Sequence, residues 1–187
     1  METVALTTER LVLRAPTEAD IDAIEAACQD PEIPRWTTVP STYTRAHAEE
    51  FVTLVAEWWA EGKETVWGIF VDDTLSGMIG LHHIEDHHSG GYAEIGFWVA
   101  ESARGKGYIS EAARAVIDWG FVELGLVRIG WRAVAGNEPS ARTARALGFR
   151  YEGLHRQALT SPRGRDDGWS AGLLVTDDRA PVGWPVL

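Results

Sequence analysis

The chain has 187 residues, 45% of them hydrophobic and 24% charged, which is typical of one globular domain with a sizeable core. Its formal net charge of −11 at pH 7 argues against binding to nucleic acid or anionic membranes and favours a neutral or cationic partner. The single cysteine, Cys28, excludes an internal disulfide framework and a cysteine-rich zinc site, and it favours a cytoplasmic location.

The first half of the chain predicts a strand, two helices and a strand pair. Thr17 is a typical N-cap for the first helix, three prolines indicate an irregular loop after it, and Gly62 is placed to end the second helix. The predicted order is strand 10–14, helix 17–28, loop 29–43, helix 44–62, then strands 65–71 and 76–81 around a turn at 72–74.

The second half alternates strands and helices, which predicts an α/β fold with a mixed sheet. After a loop at 87–91, the predicted order is strand 92–100, helix 107–124, strand 127–134, helix 138–147, and a final strand pair at 149–159 and 169–175. We expect one domain over 1–187, with its core at about 7–176, coil from Thr176 and a C-terminal tail at 177–187. We expect neither secretion nor a membrane span, because no signal-peptide pattern and no run of about 18 apolar residues is present.

A glycine-containing turn between a strand and a helix carries the strongest chemical signal. Arg104, Gly105, Lys106 and Gly107 run directly into the helix that begins at Tyr108. Alternate glycines let the backbone turn tightly, and the free amides at a helix start favour an anion such as a phosphate. The same residues are also compatible with an ordinary turn that carries two solvated cations.

Two familiar phosphate motifs do not match this turn. A P-loop requires Ser or Thr after its lysine, whereas Gly107 follows Lys106. The dinucleotide motif requires a third glycine at position 110, where the chain has Ser110.

The turn instead resembles the R/Q-x-x-G-x-G/A signature of the GCN5-related N-acetyltransferase (GNAT) family. The segment AEIGFWV at 93–99 is similar to the central strand of that family, and N-x-x-S at 137–140 with LGF at 147–149 is similar to a later motif. TERLVLRAPTEAD at 8–20 and DPEIPRW at 30–36 resemble the RimJ/RimL-type branch. Four separated matches in the family's order are far more specific than one glycine turn.

The resemblance implies a mixed central sheet with splayed fourth and fifth strands, helices on both faces, and acetyl-CoA as co-substrate in the gap. The implied cofactor-binding residues are Phe97, Trp98, Val99, Arg104, Gly105, Lys106, Gly107, Tyr108, Ile109, Asn137 and Ser140. Backbone amides of 104–109 would hold the pyrophosphate, and the strand would pair with the pantetheine arm.

Glu94 is the predicted catalytic base, since a carboxylate in so apolar a strand is costly unless it is solvated or functional. The resemblance implies that it removes a proton from the acceptor amine, often through a water; the alternative is a strand-end glutamate that reaches solvent or an arginine. Glu152 is a second candidate.

Asn137 and Ser140 also have a structural explanation. Asn137 is a natural N-cap, and Ser140 then lies in the first turn of the helix that follows. Family members often carry a tyrosine where this chain has Ala144, so the resemblance shifts thiolate protonation to Ser140 or to water.

The histidines near Glu85 and Asp86 are compatible with zinc in residue type, but neighbouring strand residues point to opposite faces, and we predict no metal. These histidines are His82, His83, His87 and His88. The sequence leaves any role for them open, with His83 as the candidate to line the acceptor cleft.

We therefore expect an N-acetyltransferase that acts by direct transfer in a ternary complex with an amine-bearing acceptor, either a protein N-terminus or a small molecule. The alternative is a GNAT-fold protein that binds acyl-CoA without transferring it, as a sensor or interaction module. A homodimer is compatible with the resemblance. The position of Cys28, away from the glycine turn, argues against an acetyl-cysteine intermediate.

Overall fold

A computed structural model describes residues 1–88 and 90–187. Short turns between apolar segments place most strands beside their neighbours in the sequence. The strands are β1 Leu6–Thr7, β2 Val12–Arg14, β3 Thr65–Val71, β4 Thr74–Glu85, β5 Gly91–Val99, β6 Leu126–Val134, β7 Arg150–Ser161 and β8 Gly164–Leu174. The helices are α1 Ile21–Ala27, α2 Glu32–Trp36, α3 Arg45–Glu61, α4 Tyr108–Glu123 and α5 Glu138–Ala146. The predicted α/β fold is confirmed.

The strands form one sheet in the order β1-β2-β3-β4-β5-β6-β8-β7. All neighbours are antiparallel except β5 and β6, which are parallel because α4 crosses over between them. The pairing of β5 with β6 ends at Ile95 and Trp131. Beyond that point β5 continues only beside β4, and β6 continues only beside β8. The predicted splay is thus confirmed, and the two separating strands are fifth and sixth here because the two-residue β1 is counted.

Both faces of the sheet are covered, as the resemblance implied. Val66 and Trp67 point to opposite faces of β3, and both are buried. Helix α4 lies against the face of Leu81 and Ile129, where Gly120 lets it approach closely: a Cβ at Gly120 would lie 2.9 Å from Leu81. Helix α1 packs against α3 and β4, and α3 packs against β3. No helix of the described chain is both long and apolar enough to cross a bilayer.

Several predicted boundaries are wrong for physical reasons. The strand predicted at 76–81 is β4, which extends over Thr74–Glu85 because its pairing with β5 continues as far as Glu85. The expected loop at 29–43 contains α2, because Pro31 at the N-cap and Pro34 in the first turn occupy positions where a helix needs no amide donor. The final hairpin is tighter than expected, since β8 begins at Gly164, directly after a turn at Pro162-Arg163. The predicted loop at 87–91 includes Ser89, which lies outside the described residues.

The C-terminal tail has no helix or strand, as expected, yet it contributes to the core. Trp184 is only 4% exposed and donates a hydrogen bond from Nε1 to the carbonyl of Phe149 at 3.1 Å. Its ring lies 5.5 Å from Trp131 and 5.6 Å from Tyr151, measured between ring centroids. The tail therefore closes the apolar end of β6 and β7, which its lack of periodicity did not predict.

Candidate active site

The glycine turn connects the 3-10 turn Glu101–Ala103 with α4. Gly105 and Gly107 have φ angles of +73° and +78°, a region that favours glycine over residues with a Cβ. Gly107 is the N-cap of α4 and has no side chain to bond the first amides of the helix. A Cβ at Gly105 would meet no atom within 4 Å, so the space above the turn is open. The turn therefore presents backbone donors to an open surface, as an anion site requires.

A contact from the N-terminal segment holds this turn in place. Arg10 donates from Nη1 to the carbonyl of Lys106 at 3.1 Å, and its guanidinium lies 5.0 Å from the ring centre of Tyr108. The same guanidinium pairs with Glu111 in the first turn of α4 at 2.6 Å, and Thr8 donates to that carboxylate at 2.6 Å. Burial raises the pKa of Glu111, but the hydrogen bonds from Thr8 and Arg10 outweigh it and lower the pKa below its ordinary value. Arg10 thus offsets a negative charge beside the predicted anion site.

The two cations of the turn itself are placed differently. Arg104 forms an ion pair with Asp30, in the segment that follows α1. Lys106 is exposed, and its ammonium lies 6.0 Å from the ring centre of Tyr108. The turn is therefore tied to the segment between α1 and α2 through Arg104, while Lys106 is the more accessible charge.

The outer half of β5 has one unpaired edge. Phe97, Trp98 and Val99 pair with β4 but lie beyond the last β5–β6 pair. Backbone donors and acceptors on that edge require another partner, since they face neither strand. This edge and the glycine turn adjoin along the chain, as the predicted cofactor site needs.

Asn137 and Ser140 lie at the start of α5, on the other side of the gap. Asn137 caps the helix by accepting a hydrogen bond from the Ser140 amide at 3.3 Å. The Ser140 hydroxyl accepts a hydrogen bond from Trp131 Nε1 at 3.1 Å. Because Trp131 is the last residue of β6 that pairs with β5, this contact places Ser140 beside the point where the strands separate.

Glu94 lies on the opposite face from Ala93 and Ile95, just before the gap. Its side chain is only 17% exposed and accepts a hydrogen bond from Arg132 Nε at 2.5 Å. The arginine therefore spans from β6 to β5 near the split. Burial and then the charge of Glu94 raise the pKa of Tyr92 on the same face, which indicates poor solvation there. Glu94 is thus a carboxylate in a sheltered position, paired with an arginine.

The second carboxylate candidate, Glu152, forms a two-pronged ion pair with Arg128, at 2.6 and 2.8 Å. This hydrogen bond raises the pKa of Arg128. Glu152 is more exposed than Glu94, at 42% of its side chain. Glu94 therefore keeps the more sheltered position of the two carboxylates.

The histidines separate at a bulge in β4. His83 has a φ of +52° and is exposed, whereas His82 lies opposite Glu94 in the strand register. His82 Nδ1 is 2.6 Å from Glu64 Oε2. His82 therefore lies on the face of the sheet that carries Glu94, while the His83 side chain is exposed. Among residues 1–88 and 90–187, no group of three or more His, Cys, Asp or Glu side chains is arranged to hold a metal ion.

Cys28 is buried at the end of α1, and burial raises the pKa of its thiol to about 12. A thiol of that kind is protonated near neutral pH and is a poor nucleophile.

Two side chains near the predicted site, Arg10 and Arg132, were not singled out from the sequence, and His82 was named only among histidines whose role stayed open. A partial signal existed for Arg10, since the acidic Glu111 in the first turn of α4 favours a nearby cation. Arg132 and His82 gave no local signal, because their partners are distant in the sequence: Glu94 on β5 and Glu64 just before β3.

Comparison with known proteins identifies the family. The acetyltransferase (GNAT) domain profile matches residues 10–150. A Bacillus subtilis relative, the uncharacterized N-acetyltransferase YoaA, is 34% identical over 156 residues, which cover 82% of this chain and 87% of that one. The Escherichia coli ribosomal-protein-serine acetyltransferase is 35% identical over 97 residues, or 52% of this chain and 53% of that one.

A solved structure of RimL, a ribosomal L7/L12 alpha-N-protein acetyltransferase in complex with coenzyme A, has the same fold. Its TM-score is 0.83 at 21% identity, over 93% of this chain and 98% of that one. That structure confirms the fold, and the sequence likeness to the ribosomal-protein-serine acetyltransferase confirms the resemblance to the RimJ/RimL-type branch. The profile match over most of the sheet, together with the N-acetyltransferase relatives, shows that this chain belongs to the GNAT family of N-acetyltransferases.

Proposed function

We propose that this protein transfers an acetyl group from acetyl-CoA to a primary amine, by direct transfer, and that the amine is a peptide N-terminus. The observation that carries the proposal is the split between β5 and β6. The split has the glycine turn at its outer end, Ser140 beside it, and Glu94 on the opposite face.

The residues present fit acetyl-CoA. The amides of 104–109 suit the pyrophosphate, Lys106 adds an accessible charge, and the free edge of 97–99 suits the amide groups of the pantetheine arm. Asn137 lies beside the same gap. Bound acetyl-CoA supplies the thioester whose acetyl group is transferred and whose thiolate leaves. The RimL structure with coenzyme A supports this assignment.

Glu94 and Ser140 are the proposed catalytic residues. The Glu94 carboxylate binds the acceptor ammonium or a water beside it and begins removal of its proton. The Ser140 hydroxyl already accepts a hydrogen bond from Trp131, so its own proton is free to be directed at the leaving thiolate. Transfer is direct, because the buried, protonated thiol of Cys28 is unsuited to carry an acetyl group.

The peptide acceptor is favoured by relatives and by charge. The Escherichia coli relative is named for ribosomal-protein acetylation. A net charge of −11 attracts a cationic amine. A cavity of about 150 Å³ beside Arg132, lined also by His155 and Trp169, offers space for the first side chain of a peptide. The cytoplasmic location and the homodimer stay predictions of the sequence.

A thermal-shift titration with acetyl-CoA, CoA and ATP tests the cofactor. A ligand at about a hundred times its Kd adds roughly 2.7 kcal/mol to the native state. We expect both CoA species to raise the Tm and ATP to leave it unchanged. No shift with either CoA species would refute the cofactor assignment.

An acceptor panel tests the substrate class. With saturating acetyl-CoA, we expect release of free CoA thiol with short peptides that have a free N-terminus, and none with the same peptides after N-terminal blocking. A polyamine, an aminoglycoside and a free amino acid complete the panel. Greater turnover with any of these three would overturn the peptide assignment and leave the acetyltransferase assignment standing.

A further inference from the structure

His82 and Glu64 form a half-buried side-chain pair that the proposed mechanism does not use. Nδ1 of His82 lies 2.6 Å from Glu64 Oε2, and the two side chains are 31% and 20% exposed. An ionised carboxylate only accepts hydrogen bonds, so Nδ1 carries the hydrogen in the neutral ring. Nε2 is then the unprotonated nitrogen, ready to accept a proton.

Nε2 of His82 lies close to the split between β5 and β6. The imidazole lies over two glycines: an added Cβ at Gly80 or at Gly96 would lie 3.1 Å from Nε2. Gly96 is the first residue of β5 beyond the last β5–β6 pair, which is Ile95 with Trp131. Nε2 is therefore placed at the start of the open edge, on the face that carries Glu94.

Charged and titratable side chains surround this ring on three strands and the segment before β3. Glu64, just before β3, contacts Nδ1, and Glu94 lies directly across on β5. Tyr92 and Glu85 lie one register step away, and Arg132 is held beyond Glu94 on β6. Cross-strand neighbours of this kind have Cβ atoms about 4.5–5.5 Å apart. The ring of His82 therefore lies between the side chain of Glu64 and the position of Glu94, whose carboxylate is bonded to Arg132.

Ordinary pKa values explain why a second group is needed. A peptide α-ammonium has a pKa of about 8, an imidazole about 6.5 and a glutamate carboxyl about 4.3. An imidazole is therefore, by its ordinary pKa, a better acceptor for the proton of an ammonium than a carboxylate is.

We propose that His82, oriented by Glu64, is the terminal acceptor of the proton that the acceptor amine loses. This inference rests on the proposed function. One N–H bond of the ammonium breaks and one Nε2–H bond forms, directly or through a water held by Glu94. The positive charge moves from the ammonium to the imidazolium, which later returns the proton to solvent. The amine is left neutral and nucleophilic, as acyl transfer requires.

The main test compares H82Q with H83N. We expect H82Q to lower kcat about a hundredfold, to keep the wild-type Kd for acetyl-CoA, and to lose the acidic limb of the kcat/KM profile between about pH 5 and 8. His83 is the adjacent, exposed histidine, and asparagine tolerates its positive φ, so H83N should match the wild type in all three respects.

E64Q separates a proton-accepting role from a packing role. Without the Glu64 carboxylate the imidazolium is less stable, so the acidic limb should move to lower pH while acetyl-CoA binding stays unchanged. If H82Q does not fold, this shift of the acidic limb in E64Q tests the role of His82 instead.

The tautomer of His82 can be measured directly. In the wild-type protein without cofactor, long-range 1H–15N spectra should show a hydrogen on Nδ1 and none on Nε2.

The outcomes separate the two proposals. A wild-type protein that neither binds acetyl-CoA nor acetylates any amine would refute the proposed function and this inference together. An active wild type, with H82Q equal to it in kcat and pH profile, would refute this inference alone. A protonated Nε2 with a bare Nδ1 in the free protein would refute it as well.

Discussion

The glycine turn, proposed to bind the cofactor, and the sheet face that carries Glu94 and His82, the proposed acceptor face, both lie near the split in the sheet, but they are built in different ways. The turn at 104–107 consists of backbone in a conformation that two glycines allow. The proposed acceptor face consists of side-chain pairs between distant parts of the chain, Glu94 with Arg132 and His82 with Glu64. Substitution should therefore damage binding in the first region and turnover in the second.

The largest expected effect is on turnover, from E94Q. Removal of the charge leaves the shape of the side chain but takes away the carboxylate that binds the ammonium, or the water beside it, and begins removal of its proton, so kcat should fall by about 10²–10⁴ while the Kd for acetyl-CoA is unchanged. Steady-state kinetics and calorimetry measure the two quantities.

E152Q is the matched variant, since Glu152 also pairs with an arginine on β6. It should affect kcat much less than E94Q. A larger loss in E152Q would transfer the role of base to Glu152, and equal turnover of E94Q and the wild type would remove Glu94 from the mechanism.

The next effect should be on cofactor binding alone, from G105A. Alanine at a φ of +73° is strained, so the turn shifts and its amides no longer point at the pyrophosphate. We expect the Kd for CoA to rise at least tenfold, which corresponds to the loss of one hydrogen bond to a charged group, about 1.5–3 kcal/mol.

G125A is the matched control, because Gly125 has a φ of +62° and equally open surroundings but lies at the far end of α4. Both variants should lose about 1 kcal/mol of unfolding free energy. If G125A weakened CoA binding as much as G105A does, the effect would be one of stability and not of the turn.

A smaller effect on CoA binding should follow from R10M, which removes the contacts that Arg10 makes with the glycine turn and with Glu111. The carbonyl of Lys106 loses its donor and the charge of Glu111 is no longer offset beside the pyrophosphate. The Kd for CoA should rise about three- to tenfold, with no change for pantetheine, which lacks the pyrophosphate. R114M, at an exposed position on the same helix, should have no effect; an equal effect of R10M on pantetheine would contradict this account.

The smallest effect should appear as an acid dependence of stability. The pKa of Glu111 is lowered in the folded state, so its contribution is present above the ordinary value near 4.5 and is lost as the pH falls below it. Because Arg10 is 48% exposed, the loss should be under about 1 kcal/mol. Urea unfolding between pH 3 and 7 should show a smaller acid decline for E111Q than for the wild type, and identical declines would contradict the assignment.

Much of the cofactor region was predictable because its information is local. Gly105 and Gly107 specify the turn, Asn137 specifies the start of α5, and apolar spacing specifies α3 and α4. Each depends on dihedral preferences or hydrogen bonds within a few residues. Elsewhere in the described chain, α2 was hidden by prolines that also occur in loops, and the two-residue β1 was too short to predict.

By itself the sequence determined the order of most elements, the glycine turn, the family and the position of Glu94 on β5. Only the tertiary structure decided which side chains pair near the split: Arg132 with Glu94 between β6 and β5, and Glu64 with His82 between the segment before β3 and β4. Adjacent strand residues point to opposite faces, so the choice between His82 and His83 depends on the bulge and the register of β4 with β5. Register is fixed by packing of the whole sheet, and no short stretch of sequence contains it.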